Sequence, residues 1–190
     1  MCIKRCLHRH LQRGLTLIEL IVFIVVISIG LTGILGVLDF SNRHSVSPML
    51  LKQQVAIAEA LLAEISAKPF TWCDPDDAAA NTASSAADCS VVQGIGPTPG
   101  ESRDSSTAPF DNVGDYHGFA MNGIRSPADG NTILPGLAQY GASVSISAAG
   151  TSLGLADNGA ALRIDVTVSA PGQSPITLTG YRSRHAPAAP

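Results

Sequence analysis

The chain has 190 residues, 45% of them hydrophobic and only 14% charged, with a formal net charge of -3. That length holds one ordinary domain plus a tail or anchor, not two full domains, and the acidic balance argues against a nucleic-acid-binding protein. The charge is unevenly placed: Lys4, Arg5, Arg9 and Arg13 lie in residues 1–14 without an acid, while the other eight Lys and Arg face all fifteen Asp and Glu, a balance of -7. A basic start, an apolar stretch and an acidic body describe a chain inserted in a membrane and exported beyond it. An ordinary soluble cytosolic domain is disfavoured.

Between Glu19 and Asp39 the sequence carries no charge. As a helix at about 1.5 Å per residue that stretch is roughly 28 Å long, close to the thickness of the hydrocarbon layer. Ser28 and Thr32 fit such a span because their hydroxyls bond back to the carbonyl one turn earlier. Gly30, Gly33 and Gly36 weaken a helix in water and allow close approach of a neighbouring helix in lipid. The four cations of residues 1–14 precede the span, and Arg43 is the lone Lys or Arg just after it. The positive-inside rule therefore predicts a cytoplasmic N-terminus and a periplasmic body, in a single-pass inner-membrane protein. No small-x-small cleavage site of a secretory signal follows the apolar run.

Glu19 lies one turn inside the apolar segment, where an unpaired carboxylate is costly. It either reaches the headgroups and does nothing else, or meets a cation that only an assembled state supplies.

Gly14-Leu15-Thr16-Leu17-Ile18-Glu19-Leu20, after a short basic leader, resembles the type IV prepilin motif. The resemblance implies that a prepilin peptidase cuts after Gly14 and that Leu15 becomes the methylated N-terminus. Phenylalanine is commoner at that first mature position. Glu19, the fifth mature residue, would neutralise the N-terminal amine of the adjacent subunit during assembly. Other pilin subunits and the pilus assembly platform are the implied partners, with no nucleic acid. The implied fold is α+β: a long N-terminal helical spine packed on a small antiparallel β-sheet. The chain then divides into a leader (1–14), a transmembrane and assembly helix (15–40) and a periplasmic head (41–190).

Within the head, Ser47 and Pro48 read as the cap and first residue of a helix over about 48–68, so the spine kinks or restarts there. Leu51, Val55, Ala58, Leu62 and Ile65 form its apolar stripe, widened by Leu50, Ile57 and Leu61. Lys52, Gln53, Glu59, Glu64 and Lys68 lie off that stripe, and Pro69 ends the helix.

Cys2 and Cys6 fall in the leader. Cys73 and Cys89 remain as a pair in an oxidising compartment, where a disulfide closing residues 73–89 contributes about 3 kcal/mol in the chain-entropy model. Two cysteines without a nearby histidine are poor zinc ligands. Inside that loop Asp74, Asp76 and Asp77 bring three carboxylates together. Calcium suits an oxygen-rich cluster, and a solvated acidic turn is the competing reading. Asp111 and Asp115 could join such a site. Residues 78–108 read as a long surface excursion.

Phe110, Tyr116 and Phe119 predict an aromatic packing cluster with His117 as a turn residue beside it. No nucleophile–base pattern accompanies His117, so the chain reads as a non-enzyme. Tyr140–Ala148, Leu162–Val168 and Ile176–Tyr181 alternate as strands, giving an antiparallel meander over about 140–183. Asn158-Gly159 and Pro171-Gly172 supply turns. Residues 186–190 form a frayed tail.

The start at Pro48-Met49-Leu50, the helix end running into Trp72-Cys73-Asp74-Pro75-Asp76, and the segment Phe110 to Phe119 resemble the MshD-type minor pilins of mannose-sensitive haemagglutinin (MSHA) pili. Gly114 stands where an acid is expected in that group. The resemblance implies a structural, adhesion-related pilus subunit, finally at the cell surface. A type II secretion pseudopilin shares the whole N-terminal logic. A membrane-anchored periplasmic enzyme and a DNA-uptake pilin with a local patch at Arg182 and Arg184 are the remaining classes.

Overall fold

A computed structural model describes residues 16–184; Gly14, Leu15, the leader cysteines and the 186–190 tail lie outside the described residues. One helix, α1, runs Leu17–Ser66. Four strands follow in the order β1 (Ala120–Asn122), β2 (Gly141–Ala148), β3 (Ala161–Ser169) and β4 (Ile176–Ser183), forming one antiparallel sheet in sequence order. The chain separates after Val46 into two compact units.

In the first unit, Leu17–Phe40 is a 24-residue stretch apolar enough to cross a membrane, with none of it buried in protein. The Ser28 hydroxyl donates to the Ile24 carbonyl and the Thr32 hydroxyl to the Ser28 carbonyl, both at 2.7 Å, so these polar groups are satisfied within the helix. A side chain added at Gly30, Gly33 or Gly36 would meet nothing within 4 Å.

In the second unit the expected restart at Ser47-Pro48 is not seen. Helical structure passes through both residues, so Ser47 lies inside α1 and does not cap a new helix. Proline removes one backbone donor, a loss that a long helix can carry without ending. The C-terminal end is as expected: Lys68 donates its N–H to the Ile65 carbonyl in a tightened last turn, immediately before Pro69.

The buried face of α1 falls within the expected stripe, on its Ile57 and Leu61 side. Ile57, Ala58, Leu61 and Ile65 pack with Tyr140, Val144, Ile146, Ile164, Val166 and Val168 of the sheet. Leu51 and Val55 are 46% and 37% exposed, whereas Gln54 is fully buried. The polarity of Gln54 hides its burial from a hydrophobic pattern. Its side-chain N–H groups donate to the Val168 and Ser174 carbonyls at 3.1 and 3.3 Å, tying the helix to the β3–β4 connection.

Strands β2 and β3 alternate as expected. Ala142, Val144 and Ile146 are buried, as are Leu162, Ile164, Val166 and Val168. Each of the valines, leucines and isoleucines contributes about 1.5–3 kcal/mol on full burial. In β4 the inward positions are Ile176, Leu178, Gly180 and Arg182, so Tyr181 points outward. A Cβ at Gly180 would stand 2.8 Å from the Leu62 Cδ1, so glycine there lets α1 lie close on the sheet. The Asn158-Gly159 turn is one end of a longer β2–β3 connection, in which Asp157 accepts the Gly159 N–H at 2.9 Å.

Candidate functional site

Two regions hold the residues singled out from the sequence. The first is the carboxylate-rich surface formed by the disulfide loop and the segment 110–119. Cys73 and Cys89 are joined by a disulfide, and Cys73 is fully buried with Ala80 and Ala83 in a small core of its own. Backbone bonds flank it: the Asp74 N–H donates to the Val91 carbonyl and the Gln93 N–H to the Trp72 carbonyl, both at 3.0 Å.

The three loop carboxylates do not act as one group. Asp77 accepts the N–H of Ala79 at 2.8 Å and that of Val91 at 2.6 Å, and these bonds hold its carboxyl below the ordinary range. Asp77 therefore organises the turn. Asp74 and Asp76 instead converge with Asp111, and Asp111 converges separately with Glu101 and Asp115. Each trio keeps its ligand oxygens within 4.8 Å of one another.

Asp115 is fully buried and lies within a short 3-10 turn, Val113–Tyr116, capped by Asn112. Its Oδ2 accepts the Asn112 N–H at 2.6 Å and the Asp111 N–H at 3.1 Å, and its Oδ1 accepts from the Gln93 side chain at 2.7 Å. Asn112 accepts the Gly114 N–H at 3.0 Å and donates to the Thr71 hydroxyl at 2.9 Å. The glycine at 114, expected to be an acid, has a packing cause: a Cβ there would lie 2.5 Å from the Gly94 carbonyl oxygen.

Burial is the largest influence on both acids, with neighbouring carboxylates adding to it. Asp111 is pushed up to about 7, by desolvation and then by Glu101, Asp115, Asp74 and Asp76. Asp115 is pushed up to about 6 by desolvation, against the bonds from Asn112, Gln93 and Asp111. A carboxyl whose pKa is raised on folding binds protons more tightly in the native state, so stability falls as pH rises through that range. In metal-free buffer the protein is expected to melt higher at about pH 5 than at about pH 8, with Asp111→Asn flattening the difference. A thermal melt across that range in chelator checks this; a melt that rises steadily with pH contradicts it.

Beside the carboxylates, Phe110, Tyr116 and Phe119 form the expected cluster, with ring centroids 5.1–6.2 Å apart in edge-to-face contacts. His117 has a structural bond: its Nδ1 accepts the Ile146 N–H at 3.0 Å. Arg184 stacks over Phe70 at 4.0 Å and Trp72 at 3.8 Å. Its guanidinium is half-buried in that clamp and is not held out as part of a basic patch.

The second region is the start of α1. Thr16 precedes the helix, and its hydroxyl oxygen accepts the Glu19 N–H at 3.4 Å while its carbonyl accepts the Leu20 N–H at 3.2 Å. Thr16 and Glu19 thus stand in the spacing of a helix capping box, with the acid in the first turn where the helix dipole favours it. The bond is made by the Glu19 backbone N–H and not by its carboxylate. It was legible in the Thr-x-x-Glu spacing but was passed over.

A family model of the prokaryotic N-terminal methylation motif matches residues 9–35. The motif supports a type IV pilin-like subunit. Such a motif implies processing by a prepilin peptidase and assembly with other pilins, and with the apolar helix it is consistent with membrane anchoring. It points to a structural subunit more than to an enzyme. The observed layout agrees: a long apolar helix followed by a small antiparallel sheet. No curated protein and no solved structure gives a significant match.

One further group was missed from the sequence. Glu64, expected off the core face, receives a two-pronged ion pair from Arg103 at 2.6 and 2.8 Å and the Tyr116 hydroxyl at 2.8 Å. Arg103 also lies over the Phe119 ring at 5.5 Å. Nothing in the spacing of residues 64, 103 and 116 announces this contact, because Arg103 arrives from the long excursion.

Proposed function

We propose that the chain is a minor pilin, a structural subunit of a type IV pilus of the MSHA kind. It is inserted in the inner membrane with residues 1–14 in the cytoplasm and the head in the periplasm, and is cleaved after Gly14. The mature subunit, beginning at methylated Leu15, assembles through its N-terminal helix. Glu19 then pairs with the terminal amine of a neighbouring subunit.

The observation that carries this reading is the N-terminal methylation motif at residues 9–35, set directly ahead of a charge-free membrane-length helix. The chemistry agrees with it. Cleavage creates an ammonium at Leu15, and a carboxylate four residues on offers its complement at the edge of a low-dielectric layer. The more specific assignment to an MSHA-type pilus rests on the resemblance of the segments at 48–50, 64–76 and 110–119.

The test is co-expression with and without a prepilin peptidase, reading the mature N-terminus by intact mass and sequencing. The expected product starts at methylated Leu15, is absent without the peptidase, and is not formed when Gly14→Val blocks the cleavage site. Glu19→Leu is expected to leave cleavage intact and to remove the subunit from sheared filaments. An unprocessed chain, or a cut well inside the apolar helix, would refute the pilin reading.

A further inference from the structure

The carboxylates around Asp111 leave two buried oxygens without a donor. Asp111 Oδ1 is one. The other is Gln93 Oε1, on a side chain that is nine-tenths buried. The Gln93 side chain lies against the cluster: its amide nitrogen donates to Asp115 Oδ1 at 2.7 Å. Amide geometry separates the two amide heteroatoms by roughly 2.3 Å, so Oε1 lies within about 5 Å of that carboxylate oxygen. Acceptors buried without a donor are rare in folded proteins and call for an unseen donor or cation.

The distances admit a calcium ion. Two oxygens bound to the same calcium ion, each at about 2.3–2.6 Å, lie no more than about 5 Å apart. The ligand oxygens of Glu101, Asp111 and Asp115 lie within 4.8 Å of one another, and so do those of Asp74, Asp76 and Asp111. A hollow of about 570 Å³ lined by Asp74, Asp76 and Glu101 gives an ion a way in. Magnesium holds its waters and demands near-octahedral geometry at shorter distances, which a cluster drawn from four separate segments does not impose.

We propose that Glu101, Asp111, Asp115 and the Gln93 amide oxygen hold one calcium ion, with Asp74 and Asp76 facing it from the disulfide loop. The site shares Asp74, Asp76, Asp111 and Asp115 with the residues considered from the sequence, but it centres on Asp111, adds Glu101 and Gln93, and excludes Asp77. The ion joins the segment after the disulfide, the long excursion and the 3-10 turn. It stands independently of the pilin assignment. Its affinity belongs in the range of extracellular calcium modules, a Kd of roughly 0.1–1 mM.

The full chain in detergent micelles, stripped with a chelator, is titrated with calcium chloride and separately with magnesium chloride, by calorimetry and by thermal melting. Saturable calcium binding is expected with a raised melting temperature, and magnesium should bind at least tenfold more weakly. Asp111→Asn is the diagnostic variant, because Asp115 and not Asp111 supplies the side-chain bonds that hold the turn. It should melt at or above the parent in chelator, yet lose at least tenfold in calcium affinity. Glu101→Gln should weaken binding severalfold, while Asp129→Asn, outside the cluster, should leave it unchanged. Absence of saturable binding up to about 5 mM calcium, well beyond that affinity range, would overturn the proposal. So would an affinity equal in the parent and Asp111→Asn.

Discussion

Glu64→Ala is expected to destabilise the head by about 3 kcal/mol, one of the largest effects of any single substitution outside the apolar core. The cause is what remains. The Arg103 side chain is only 8% exposed and would keep its charge with no carboxylate beside it, and the Tyr116 hydroxyl would lose its acceptor. Glu64 is 23% exposed, so water softens the loss and places it at the lower end for a broken buried pair. Replacing both partners, as Glu64→Met with Arg103→Met, should recover most of the stability, since neither charge is then stranded. Urea unfolding of the two single variants and the double variant measures the coupling. Single and double variants equally destabilised would show that the pair is not what matters.

This ion pair also makes a pH statement with a sign opposite to that of Asp111. Burial raises the Glu64 carboxyl, but the bonds from Arg103 and Tyr116 and the charges of Arg103 and Lys68 outweigh it and leave it lowered. Its contribution is present above the ordinary glutamate range and is lost as pH falls through the lowered value. Protonation of Asp111 and Asp115 therefore helps the fold in mild acid, and protonation of Glu64 harms it in stronger acid.

Reduction of the Cys73–Cys89 disulfide should cost about 3 kcal/mol, the value for a closed loop of about 15 residues in the chain-entropy model. The observed sequence separation is 16. The loss should begin locally. Cys73, Ala80 and Ala83 form a core separate from the one between α1 and the sheet, so the loop is expected to open while the sheet persists. Amide hydrogen exchange with and without reductant, on the full chain in micelles, reads this directly. Protection should fall in residues 73–92 well before it falls in β2 and β3. Uniform loss across both regions would mean the loop is not an independent unit.

How much was legible in the sequence depended on whether the evidence was periodic. Val144, Ile146, Ile164 and Val166 announce their strands by strict alternation, and each is buried. Ser28 and Thr32 declare their own solution, because a hydroxyl in an apolar helix has one nearby acceptor. On the spine Ile57, Ala58, Leu61 and Ile65 are buried as their spacing predicts, whereas Gln54, polar and yet fully buried, carries no such mark. Strand β1 was missed altogether: Ala120–Asn122 is three residues long and too short for alternation to register.

The carboxylates followed the same division. Asp74, Asp76 and Asp77 are neighbours in sequence and invite being read as a set. Once Asp77 turns its oxygens onto backbone amides, the set is broken. Asp111 takes its place through a fold contact that crosses more than thirty positions. Glu101 and Gln93 had no local mark at all, because they lie in a segment whose composition says only that it is a loop.

The edge of β2 has a consequence of another kind. Strand β1 covers only Gly141 to Ser143, and beyond it the backbone of β2 is met by a loop: Val144 exchanges bonds with Gly118 and Phe119, and Ile146 gives its N–H to the His117 ring. A side chain thus fills a place where a further strand would otherwise dock. Free strand edges are templates for unwanted sheet extension, and natural folds blunt them with short strands and covering loops. In this sheet the covering acts on the β2 side alone, because β4 forms the opposite edge.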